Sequence, residues 1–93
     1  MELEKIDIPY VQVPGGGIFA YINGDSTGKT VLLRSDIDAL PILESETNLK
    51  NKKICISKNP GVMHGCGHDG HIAMLLTAAK ILKNMEASLN GRV

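Results

Sequence analysis

The sequence predicts an α/β unit on three observations: two β-favouring runs around a proline-glycine reversal, a nearly continuous apolar run after them, and a helical apolar period near the end. The first two runs are "IPYVQV" at residues 8 to 13 and "GIFAYIN" at 17 to 23. Pro14 and the glycines after it separate them, which reads as a tight β-hairpin. Thr30 to Ser35 follows the turn "NGDSTG" and is apolar almost throughout, as a central strand buried on both faces would be. Residues 36 to 62 lose any period and read as a long loop, with one short strand expected at Ile54 to Ser57.

Beyond Gly70 the pattern turns helical, since Ile72, Leu75, Leu76, Ala79, Leu82 and Met85 recur every three or four residues. Asp69 is placed as the N-cap of this amphipathic helix, and the glycine of "LNG" at 89 to 91 as its stop. No repeat or low-complexity segment interrupts the order.

At 93 residues, 43% hydrophobic and 22% charged, the chain suits one small globular unit and sets one domain as its ceiling. Ten basic and ten acidic side chains cancel, so no overall field draws it to nucleic acid or to an anionic membrane. No apolar stretch reaches the roughly 18 residues of a membrane-spanning helix. Two cysteines and no secretory signal point to the reducing cytoplasm, where Cys66, set among histidines, suits a metal better than a disulfide.

The chemistry concentrates in "GVMHGCGHDGH", residues 61 to 71. Gly65, Gly67 and Gly70 spell G-x-G-x-x-G before a helix, but no buried strand runs into the first glycine, and Glu86 falls inside the helix instead of ending a strand. A dinucleotide site is therefore not expected. Nor is a P-loop at "NGDSTGKT", where the glycine spacing is wrong and the segment joins two strands.

A metal reading rests on alternation. In an extended segment His64, Cys66 and His68 share a side, and a thiolate with an imidazole makes a good donor pair for zinc and its neighbours. The bland alternative makes the histidines solvated loop residues and Cys66 a small hydrophobe. In "RSDIDALP", Asp36 and Asp38 share a side at the end of the third strand. One of the two is placed to hold the outer nitrogen of a ligating histidine, unless both merely end a strand.

Together, "VLLRSDIDALPI" and "PGVMHGCGHDGHIAMLLTAAKIL" resemble the amidohydrolases of the dinuclear metallo-aminoacylase and carboxypeptidase superfamily: hippurate hydrolases, N-acyl-amino-acid amidohydrolases and auxin-conjugate hydrolases. The resemblance covers residues 6 to 93. It implies a zinc-peptidase-like catalytic domain, hydrolysis of the amide of an N-acyl amino acid, and two divalent ions drawn from manganese, zinc, cobalt or nickel. It makes Cys66 and His68 metal ligands and Asp38 the acid that orients a ligand, and gives no role to His64, Asp69 or His71.

The family's base and third ligand are adjacent glutamates on a strand that would follow Val93, whereas Glu2, Glu4, Glu44, Glu46 and Glu86 lie outside any such motif. The expectation is thus a partial catalytic domain over 1–93, truncated at both ends, without the lid and dimerisation domain, and inactive alone. Its helix would lack cover, leaving apolar surface open to self-association and a homo-oligomer. The alternative is a small metal- or partner-binding module without catalysis. A small-molecule substrate is the partner expected, with neither nucleic acid nor membrane.

Overall fold

Short backbone ladders organise the computed structural model, which describes Met1–Val93. Strand β1 (Tyr10–Gln12) pairs antiparallel with β2 (Ile18–Ala20), with Tyr10 opposite Ala20 and Gln12 opposite Ile18. The reversal works because Gly15, Gly16 and Gly17 all adopt positive φ, which costs a glycine little. The amide of Val13 donates to the Gly17 carbonyl at 3.0 Å and closes the predicted hairpin.

The second ladder was not legible beforehand. Strand β3 (Lys29–Thr30) runs parallel to β6 (Gly91–Arg92), with Lys29 opposite Gly91. On the other side of β6, the Ile22 amide donates to the Val93 carbonyl at 2.9 Å and the Val93 amide returns a bond to Ile22 at 3.0 Å. The last residues therefore hold the central place, and β3 lies at their edge. This corrects the expected central strand at Thr30 to Ser35: Val31, Leu32 and Leu33 are 53%, 76% and 43% exposed. A strand buried on both faces needs a packing layer on each, and only one long helix is present to supply one.

Gly91 is the first residue of β6 and not a helix stop. It sits at φ +138°, and a Cβ there would lie 2.2 Å from the Lys29 carbonyl oxygen. Gly24 and Gly28 permit a similar approach, since a Cβ on either would meet backbone atoms of residues 89 to 91 within 2.6 Å.

One turn of helix, α1 (Glu2–Lys5), precedes the hairpin and buries Leu3. Leu3, Ile8 and Ile22 form the small core, against which Leu76, Ala79 and Leu82 of the long helix α2 (His68–Asn84) pack. Those three lie on one stripe of α2, as the period requires, while Met85 beyond its end is 49% exposed. A 3-10 turn, Glu86–Ser88, follows and leads into β6. Glu86 ties it to the second ladder by accepting from the Asn23 amide at 3.0 Å and from Lys83 Nζ at 2.6 Å.

The long loop is real, but its regular part is a polar hairpin of β4 (Thr47–Asn48) and β5 (Asn51–Lys52), not a strand at Ile54 to Ser57. Ile54 finds no apolar neighbour and is fully exposed. Glu44 ties down the loop, accepting from Lys53 Nζ at 2.9 Å and from the Ser57 amide at 2.6 Å.

The single compact unit that composition suggested is not what these residues make. The radius of gyration is 16.6 Å, against about 12 Å for a compact chain of this length. The accessible surface is 7372 Å², against about 5,200 Å² for a compact protein of this mass. Four of 93 residues are buried, so backbone ladders and side-chain ties carry more of the structure than its core does.

Two outcomes follow. Gly91→Ala should weaken the β3–β6 pairing by about 1–3 kcal/mol, the typical strain of a non-glycine residue at such a φ. Hydrogen exchange at the Val31 amide, which donates to Arg92 at 2.9 Å, reads it, and unchanged protection would refute the close approach. Separately, the hydrogen bond from Lys53, then that from the Ser57 amide, holds the Glu44 carboxyl below the usual carboxylate range. Its stabilisation is thus present above that range and lost as pH falls through the lowered value. Ser57 amide protection should fall in acid in the wild type and show no such dependence in Glu44→Gln.

Candidate metal centre

The site begins with a pair of backbone hydrogen bonds. The Leu40 amide donates to the Met63 carbonyl at 2.7 Å, and the Met63 amide donates to Leu40 at 2.9 Å. This bridge closes the long loop at its base and sets "DALP" beside "MHGCGHDGH". Gly65 packs under Leu40, whose Cδ1 would stand 3.2 Å from a Cβ at that position.

Gly67 then turns the chain into α2. It serves as the N-cap at φ +102°, and its carbonyl accepts from the His71 amide at 3.1 Å. The helix starts two residues earlier than the period suggested, and Asp69 lies in its first turn instead of capping it. A left-handed cap without a side-chain bond leaves no polar signature in a sequence, whereas Asp69 imitated one. As an acid in the first turn, Asp69 still complements the helix dipole. The turn also ends the strand-like alternation that was to place His64, Cys66 and His68 on one side, because His68 is already helical.

Asp38 and His68 meet across this junction, with Asp38 Oδ1 2.7 Å from His68 Nδ1. An ionised carboxylate can only accept, so Nδ1 carries the hydrogen and the lone pair is left on Nε2. Asp36 goes elsewhere and pairs with Arg34. Cys66 is an exposed free thiol between Gly65 and Gly67, and Cys55 is also free.

Thiol and imidazole suit a borderline-soft divalent ion in kind. In number they stop short, since no three His, Cys, Asp or Glu side chains converge on one point. Four of the five glutamates are poor candidates for a base. Hydrogen bonds from Lys5, from the N-terminus, from Lys53 and from Lys83 hold Glu2, Glu4, Glu44 and Glu86 below the usual carboxylate range. A general base works best with a pKa near the working pH, so these four are tuned the wrong way. Sequence reasoning also missed an open cleft of about 440 Å³ between residues 33 to 36 and α2, with His71 and Met74 on its wall. Its walls come from distant segments, and no local pattern signals it. No helix is long and apolar enough to cross a membrane.

Residues 32–93 match the peptidase family M20/M25/M40. The chain is 46% identical over 89 residues to the putative amidohydrolase YhaA of Bacillus subtilis, covering 95% of this chain and 21% of that protein. It is 46% identical over 76 residues to an N-acyl-L-amino acid amidohydrolase of Geobacillus stearothermophilus, covering 82% and 19%. The crystal structure of Bacillus subtilis YXEP, a dinuclear metal-binding peptidase of the M20 family, superposes with a TM-score of 0.78 at 41% identity, covering 99% of this chain and 25% of that one. The chain thus spans about a fifth of the curated relatives it matches. With the match reaching from the apolar run through the Asp38–His68 junction to Val93, the chain belongs to peptidase family M20/M25/M40.

Proposed function

We propose that these residues form part of the catalytic domain of a metal-dependent amidohydrolase that cleaves the amide of N-acyl amino acids. The observation that carries the reading is the 2.7 Å contact between Asp38 and His68, with His68 two residues along the chain from the free thiol of Cys66. The relatives' names, N-acyl-L-amino acid amidohydrolase and N-acetyl-L-cysteine deacetylase among them, supply the reaction class. Cys66 as thiolate and His68 through Nε2 would hold a divalent ion, one of manganese, zinc, cobalt or nickel, in a cytoplasmic enzyme.

A pair of such ions supplies Lewis-acid polarisation of the scissile carbonyl and an acidified water. The chain's own part is to present the donors. Asp38 keeps the hydrogen on Nδ1, so the lone pair of His68 stays on Nε2, and its negative charge makes the ring a better donor. Gly67, by starting α2 where it does, sets His68 on rigid helix instead of on the loop. The remaining ligands and the glutamate base lie, on this reading, outside the 93 residues. The chain alone would then bind metal weakly and turn nothing over, the substrate being a small molecule.

Two measurements test this. Elemental analysis of the chain equilibrated with zinc or manganese should find bound metal, reduced together in Cys66→Ser and His68→Ala. Equal metal in both variants and the wild type would refute the ligand assignment. Asp38→Asn should weaken affinity by about 10–100-fold, the usual effect of removing a ligand's hydrogen-bond partner. A panel of N-acyl amino acids incubated with the metal-loaded chain should show no hydrolysis, and turnover would mean that a base exists within it.

A further inference from the structure

His71 has no part in the reading above, yet it stands against the one histidine that does. The first turn of α2 places His68 and His71 three residues apart, so their side chains share a face. Their ring centroids are 5.9 Å apart and the planes lie 30° from parallel, inside the range for offset aromatic stacking. His71 makes no side-chain hydrogen bond, so its contact with His68 is made by the ring face and not through a nitrogen.

A single hydrogen bond on Nδ1 fixes which nitrogen of His68 carries the hydrogen. It does not fix the plane, because it restrains one distance while the side chain has two torsions, χ1 and χ2, so the ring can still swing with Nδ1 in reach of Asp38 Oδ1. A second contact on the ring face removes that freedom. We infer that His71 is a positioning residue: its ring, stacked on His68, holds the imidazole plane so that Nε2 keeps one direction for a metal. The inference rests on the proposed role of His68 as a donor. Its backbone anchor is firm, since the His71 amide donates to Gly67, the residue that starts the helix. His71 also lines the open cleft together with Leu33 and Asp36, which leaves room for a different planar ring.

The test compares the wild type with His71→Ala and His71→Phe, both compatible with an exposed helical position, by zinc competition against a chromogenic chelator and by proton and nitrogen spectra of the metal-free chain. In His71→Ala zinc affinity should fall about 10-fold and in His71→Phe stay within about twofold of wild type, as expected for a contact that orients a ligand without binding the ion. In the metal-free spectra, His68 should keep its Nδ1–H form in all three chains, while the ring-current shift on its carbon-bound protons disappears only in His71→Ala. Unchanged zinc affinity in His71→Ala would overturn the inference. A loss in His71→Phe as large as in His71→Ala would overturn it too, by making a His71 nitrogen the active group. Should the wild type bind no zinc, the donor role of His68 falls, and the metal-free spectra still decide whether His71 orders the ring.

Discussion

The site depends on the pair of hydrogen bonds between Leu40 and Met63. They close the loop of residues 41 to 62 and bring together two segments that share no secondary structure. Closing a flexible loop costs entropy that grows only slowly with its length. A short bridge, helped by the Glu44 contacts within the loop, is therefore enough to hold a long, polar insertion. With the base closed, Asp38 and His68 fall within hydrogen-bond reach although thirty residues separate them in sequence.

Carboxylates here divide by what they face. Four glutamates are paired with ammonium groups or capped by amides, which favours their charged form and makes them structural ties. Asp38 instead faces an imidazole, the one partner whose own second nitrogen is then prepared for other chemistry. Charge alone does not separate the two groups, as all are acids. Their partners do.

Glycine sets the geometry at the start of α2 and at the start of β6. Gly67 provides a left-handed cap that releases His68 onto the helix, and Gly91 lets the returning chain lie against Lys29 with no side chain between them. The second contact turns the last residues into the central strand, held from Ile22 on one side and from Val31 on the other. The apolar stripe of α2 is thereby drawn over Leu3, Ile8 and Ile22, although the core stays small and much apolar surface remains open.

Local pattern determined the first hairpin, the long helix, the loop between them and the candidate set of Asp36, Asp38, His64, Cys66 and His68, because period, turn glycines and clustered donors are written in adjacent residues; the family resemblance narrowed that set to Asp38, Cys66 and His68. The hairpin Thr47–Lys52 escaped because its strands are polar and its turn puts Leu49 at φ +54°, a conformation expected of glycine or asparagine. The start of α2 escaped because a glycine cap carries no side-chain signal, and β6 because Gly91 and Arg92 show no β pattern at all. Where Asp36 goes instead, what His71 touches, and which strand is central were decided only by the tertiary structure. The central strand depends on segments brought together from far apart, where backbone hydrogen bonding and close approach select the partner and residue type does not.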